Sequence, residues 1–410
     1  MRITTLLSKF FILLAFFASQ ALASSWIEVQ LEEYTTSIYV PELPNRRATL
    51  RSLMINLHGC DQTNIDLVEF GNWADSADTY DMVVAIPDNN GDCFGYAPTP
   101  TYGNELAHES ILNLINELLN DPSLYIDPNQ IYISGFGAGG TVAMEMGCRY
   151  PDVIAGIGIA SAPSAGSNQY LASFAPTMTA DTVANACMAF ADDKTDHFGT
   201  QVVSIISGSD GTSSDGKVYS NWTNITADAF ASIYEIPTVS GDKVIAGNSF
   251  DGFEATSIDG SENTRISRIF IPELEHAWSA GDIESDSTFT NHSDRYIDEN
   301  GINYPEYLSN FLNVNNLKIN SNDGGWSKPF IGADLYIDTT NPSCHRVFGS
   351  AYDFNGEVVS VTVSIDGTIY NASLHGTLYN AILKRDSDRF DINECLVIDE
   401  DTPIYATAID

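Results

Sequence analysis

Gly135-Phe136-Gly137-Ala138-Gly139-Gly140 follows an apolar run, Ile131-Tyr132-Ile133, and leads into a helix-like segment, Thr141 to Cys148. Strand, glycine-crowded turn and helix in that order form the elbow on which a nucleophile is mounted, with the pattern Gly-x-Ser-x-Gly. This chain reads Gly-Phe-Gly-Ala-Gly, so the elbow is complete except for the nucleophile. The hexapeptide also fits Gly-x-Gly-x-x-Gly through Gly135, Gly137 and Gly140. A dinucleotide fold, however, needs an acidic residue about 20 positions on, at the end of the next strand. Ile157-Gly158-Ile159-Ala160-Ser161 supplies none, and the dinucleotide reading is set aside.

Outward from the elbow, strand-like and helix-like segments alternate from Leu31 to about Leu312. Leu53 to Leu57 and Met82 to Pro87 are short buried-strand runs, the first followed by the turn His58-Gly59-Cys60. Leu106 to Leu119 carries apolar residues at Ile111, Leu112, Leu114, Ile115, Leu118 and Leu119, a helical period. Ile154 to Ala160, Val202 to Ile206 and Ile266 to Ile271 add strands. This alternation predicts an α/β fold with a mostly parallel sheet and helices on both faces. Asn313 to Ser327 is rich in Asn, Ser, Asp and Gly and suits a linker. Beyond it, Val358 to Ile365 alternates apolar and polar residues and stops at Asp366-Gly367, a hairpin signal. The expected organisation is an α/β domain over 24–314, a linker over 315–327 and a small all-β, sandwich-like domain over 328–410.

Residues 1–23 read as a secretory signal. Arg2 and Lys9 give a basic start, Phe10 to Ala18 a short apolar core, and Ala21-Leu22-Ala23 a small-x-small cleavage site. The apolar core is too short to span a bilayer, so a secreted protein is expected, extracellular or periplasmic. The net charge of −37 argues against nucleic acid and anionic membranes as partners. Six cysteines in an exported chain suggest disulfides, with 15 possible connectivities, free buried thiols being the alternative. None has the paired spacing of a zinc site, and no metal or cofactor is expected.

Acyl transfer needs a nucleophile, a base beside it, an acid that orients the base, and donors for the oxyanion. After an elbow the acid and then the base follow in chain order, at strand ends. Val202 to Ile206 runs into Ser207-Gly208-Ser209-Asp210-Gly211, and Ile266 to Ile271 into Pro272-Glu273-Leu274-Glu275-His276. Asp210 and His276 are therefore the candidate acid and base. His108, His197, His292 and His345 lack such a setting and read as surface groups.

Leu57-His58-Gly59-Cys60-Asp61-Gln62-Thr63, the elbow, Tyr150-Pro151-Asp152-Val153 and Glu275-His276-Ala277-Trp278 together resemble the extracellular poly(3-hydroxybutyrate) depolymerases and the related feruloyl and acetylxylan esterases. The resemblance covers roughly residues 27 to 314. It implies an α/β-hydrolase domain that cleaves carboxylic esters with a Ser-His-Asp triad, on a polyester or a plant-type feruloyl or acetyl ester. It carries the acid to Asp210 and the base to His276. The nucleophile's position falls on Gly137, and the oxyanion donors on Gly59, Cys60 and the N–H of Ala138. His58 takes a supporting, loop-shaping role. Ser207 stands where the family often has His. The family's disulfide after the His-Gly pair implies Cys60 with Cys93, and we expect Cys148 with Cys187 and Cys344 with Cys395.

Glycine adopts the strained elbow conformation freely, so Gly137 should keep the turn while removing the attacking oxygen. Weak or absent esterase activity is expected on that ground. The alternative is a catalytically silent extracellular protein that binds polymer through the cleft and the C-terminal domain. The sequence does not fix the oligomeric state.

Overall fold

The computed structural model describes residues 25–41, 51–89, 92–96, 107–121, 123–167, 176–209, 218–282 and 295–320. In the C-terminal region it describes 330–331, 336–338, 345–352, 360–365, 368–380, 385–392, 396 and 404–409. Its centre is a ten-stranded sheet in the order β1-β2-β4-β3-β5-β6-β7-β10-β9-β8. The strands are β1 (Ser25–Leu31), β2 (Tyr34–Val40), β3 (Arg51–Leu57), β4 (Met82–Asp88), β5 (Ile126–Phe136), β6 (Gly156–Ala160), β7 (Val202–Gly208), β8 (Ser240–Ile245), β9 (Gly252–Ile258) and β10 (Thr264–Ile271). Pairing is parallel from β4 through β3, β5, β6 and β7 to β10. Antiparallel pairs close both flanks, β1 and β2 beyond β4, β9 and β8 beyond β10.

The helices are α1 (Asn64–Phe70), α2 (Trp73–Tyr80), α3 (His108–Leu119), α4 (Ala138–Arg149), α5 (Ala180–Ala191), α6 (Asn221–Ile233), α7 (Tyr304–Asn315) and α8 (Leu317–Asn320). The central strands read as near-continuous apolar runs because both faces are covered. Leu53, Ile55, Ile131 and Ile133 point to one core with Val142, Ala143 and Met146 of α4. Met54, Tyr132 and Phe136 point to the other, with Leu308 and Leu312 of α7.

Glycines in β6 let α7 approach the sheet. A Cβ on Gly158 would stand 2.4 Å from Leu308 Cδ2 and 2.9 Å from Ser134 Cβ. Gly158→Ala is therefore expected to cost about 1–3 kcal/mol through overpacking. Adding Leu308→Ala should make the double variant less unstable than the two single costs summed. Urea unfolding of the four proteins measures both.

Two readings change. His108 is buried, because it continues the inward face of α3 three residues before Ile111. Its Nε2 lies 2.8 Å from Glu145 Oε2, and Glu145 Oε1 accepts the N–H of Gly166. His197 is exposed and His345 half-buried, whereas His292 lies outside the described residues. The polar stretch from Asn313 is not loop at its start. Helix α7 runs through Asn315, and the buried Asn316 amide donates to the Tyr132 hydroxyl and the Asn129 carbonyl. Those bonds dock α8 against β5, so amide-rich composition here serves buried hydrogen bonding rather than a free connection.

On α8, Lys318 donates to the Asp152 carbonyl at 2.8 Å, and burial pushes its ammonium down to about 8. The unfolded chain holds this proton up to the ordinary value of 10.5, so between those values it binds more protons than the folded chain. Stability from this group should rise as pH climbs through that window and stay flat below it. Lys318→Met should abolish the rise, which urea unfolding at about pH 7 and about pH 10 would record.

After Trp278–Ser279 (β11) pairs with Ile297–Asp298 (β12), the C-terminal region forms small antiparallel sheets. One contains β13 (Phe330–Ile331), β14 (Tyr336–Asp338), β15 (Arg346–Tyr352), β18 (Ser373–Asn380) and β19 (Arg385–Asp391). The other has β16 (Ser360–Ile365) between β17 (Thr368–Asn371) and β20 (Ile404–Ile409). Ile365 pairs with Thr368, and Asp366-Gly367, where the composition predicts a turn, lie outside the described residues. Val361, Val363 and Ile365 share an apolar cluster with Val347 and Phe390 of the other sheet.

Candidate active site

The elbow occupies a single residue. Strand β5 ends at Phe136, α4 begins at Ala138, and Gly137 between them has φ 55° and ψ −119°. Side chains rarely enter that region, and glycine enters it freely. Gly137 donates its N–H to the Ala160 carbonyl and accepts from the Thr141 N–H, so the turn is held by β6 and by the first turn of α4. The flanking glycines are required by contact. A Cβ on Gly135 or Gly139 would sit 2.4 Å from backbone atoms of α4 or of the β3 end.

A Cβ on Gly137 would meet nothing closer than His276 Nε2, at 3.7 Å. The elbow thus faces the histidine that the sequence singles out as base. His276 follows β10 in a loop closed by the Leu274 N–H to Ile271 carbonyl bond. Its ring lies tilted by 35° against Phe136, centroids 4.6 Å apart, and meets Tyr296 edge-on at 5.9 Å. Asp210 lies outside the described residues. The chain leading to it is tied to the histidine loop, since Ser209 donates to the Leu274 carbonyl and a Cβ on Gly208 would strike that same oxygen.

The loop after β3 closes the site from the other side, with Gly59 Cα 3.9 Å from the Gly137 Cβ position. His58 is buried. Its Nε2 accepts the Asn89 N–H, so Nδ1 carries the hydrogen and donates to the Gly59 carbonyl at 2.7 Å. Gly59 gives its own N–H to Gln62 Oε1 at 2.8 Å, a bond that assigns this amide to shaping the loop. Ala138 is the first helical residue of α4, and first-turn N–H groups have no acceptor within their helix. Cys60 is bonded to Cys93, and Cys148 of α4 to Cys187 of α5. Cys344 and Cys395 lie outside the described residues.

Gln62, Phe136 and Tyr296 were not among the expected site residues. Gln62 is fully buried, and its amide donates to the carbonyls of Arg295 and Tyr296 at 2.6 and 3.4 Å. One side chain thereby joins the loop after β3 to the segment whose tyrosine abuts His276. The motif Gly-Cys-Asp-Gln marks Gln62 in sequence, but nothing there identifies partners more than 200 residues away. Two neighbouring serines are engaged elsewhere: Ser134 donates to Asn56 Oδ1 within the sheet, and Ser164 shares a hydrogen bond with Thr226.

A parallel sheet, an elbow at the end of β5 and a histidine loop after β10 define an α/β-hydrolase. Residues 36–209 match the family model described as esterase PHB depolymerase. It is 32% identical over 300 residues to a poly(3-hydroxybutyrate) depolymerase of Ralstonia pickettii, covering 69% of this chain and 57% of that one. A poly(3-hydroxyalkanoate) depolymerase C of Paucimonas lemoignei is 31% identical over 149 residues, 35% of this chain and 33% of its own. The chain thus spans between a third and three-fifths of the length of these relatives. Among solved structures, an acetyl xylan esterase from Aspergillus awamori aligns with 62% of this chain and 94% of its own, at 20% identity and TM-score 0.46.

Proposed function

We propose that this protein is a secreted carboxylic ester hydrolase of depolymerase ancestry, acting on polyester or on feruloyl or acetyl esters, and slowed by Gly137. The observation that carries the reading is the 3.7 Å between His276 Nε2 and the Cβ position of Gly137, on an elbow otherwise intact. His276 is the base and Asp210 the acid that orients it, while the N–H groups of Cys60 and Ala138 receive the oxyanion. Phe136 and Tyr296 wall the base with aromatic surface. The two disulfides support an oxidising compartment, and no helix among the described residues is long and apolar enough to cross a membrane. Residues 328–410 act as an accessory domain, a reading supported by their own apolar cluster.

Restoring the hydroxyl tests the site. Gly137→Ser should be labelled by a fluorophosphonate probe at residue 137, and adding His276→Ala should abolish labelling, since base and nucleophile act together. A folded Gly137→Ser protein that resists the probe would reject the assigned site. The second reading, a silent polymer-binding protein, draws on the same glycine. Retention on insoluble polyester with no ester turnover by either protein would favour it.

A further inference from the structure

We infer that the unsubstituted chain hydrolyses esters by single displacement, with a water molecule attacking where its relatives use serine. The inference rests on the esterase reading of this cleft and adds the identity of the attacking group. Three observations lead to it. Nothing meets the Gly137 Cβ position more closely than the His276 imidazole nitrogen, so the space of a serine side chain opens onto the base. A water one bond length beyond that position falls within hydrogen-bonding reach of Nε2 and beside the first N–H groups of α4. Phe136 and Tyr296 flank the half-buried base on two sides and leave the elbow side for the water.

The step balances with water alone. As the water oxygen bonds to the acyl carbon, one of its protons passes to His276 Nε2. The carbonyl oxygen becomes an oxyanion held by the Cys60 and Ala138 N–H groups. Collapse breaks the bond to the alcohol oxygen, and the imidazolium returns the proton to that leaving oxygen. One water is consumed, one carboxylic acid and one alcohol depart, and no bond to the protein forms. The covalent route would have required two such cycles and an acyl-enzyme.

The experiment follows p-nitrophenol release from p-nitrophenyl butyrate in the stopped flow, with intact-mass analysis after fluorophosphonate treatment. For the unsubstituted chain the expected trace is linear from time zero, above the buffer rate, with no mass adduct. His276→Ala should lower this rate about 10² to 10⁴-fold, or to the buffer rate if that is reached first, and added imidazole should recover part of it. His276→Asn is the second variant should the alanine protein misfold. Gly137→Ser should show a burst and an adduct. A burst or adduct on the unsubstituted chain overturns the inference. Ser161 is the residue to inspect, with its buried, unpartnered hydroxyl and left-handed φ of 42° at the end of β6. A rate equal to buffer, or one indifferent to His276, also overturns it. If Gly137→Ser nevertheless bursts, the esterase site stands and only the water route falls; if neither protein turns over, both fall.

Discussion

Gly137→Ser is expected to raise kcat/KM for p-nitrophenyl butyrate by about 10² to 10⁶-fold, the upper figure matching the loss when serine is deleted from a working triad. The size of the gain depends on what is already in place. The Cβ of the new serine meets no atom within 3.7 Å, so the side chain enters without displacing neighbours. From that position its oxygen faces His276 Nε2, and the elbow is already in the φ, ψ region where hydrolases hold their nucleophile. A protein lacking one triad member keeps roughly 10³ to 10⁴-fold catalysis over water from binding and the oxyanion donors, which sets the baseline. Serine at φ 55° carries strain that glycine lacks, about 1–3 kcal/mol, so the variant should be faster and less stable at once. Thermal unfolding beside the rate assay reads both. A stability loss without a rate gain would mean that the base or the oxyanion donors have shifted, leaving polymer binding as the better reading.

The fold was legible because its central strands are buried on both faces and therefore written as near-continuous apolar runs, Leu53 to Ile55 and Ile131 to Ile133 among them. Helix α3 was legible through its period, yet His108 on its inward face reads as a surface group, since a polar type hides its position until Glu145 is seen opposite. Asn316 misled in the same way: an amide suits a linker and a buried hydrogen-bond pair equally well. At the site, the elbow and His276 could be read because a tight turn and a strand-end loop leave local signatures. The clamp that aligns them could not, because Gln62 works through backbone carbonyls of Arg295 and Tyr296, and carbonyls carry no sequence signature.

That clamp gives the largest stability effect expected from a single residue near the site. Gln62→Ala takes the Gln62 partner from the Gly59 N–H and from the Arg295 carbonyl, whereas the Tyr296 carbonyl keeps the Trp278 N–H. Each such lost partner costs about 1–3 kcal/mol, and the cavity left by a fully buried side chain adds to it, so a loss of roughly 3–5 kcal/mol is expected. Gln62→Glu separates the two halves of the clamp. The carboxylate still accepts from Gly59, but its second oxygen confronts the Arg295 carbonyl instead of donating to it. It should therefore recover little of the loss, whereas a residue needed only for volume would be replaced by glutamate at small cost. Urea unfolding measures the stabilities. In a Gly137→Ser background, Gln62→Ala should also lower kcat, because the amide anchors both the loop after β3 and the segment that carries the tyrosine against His276. A change below about 0.5 kcal/mol, the range of ordinary surface substitutions, would show that the loop and the Tyr296 segment hold their places without it.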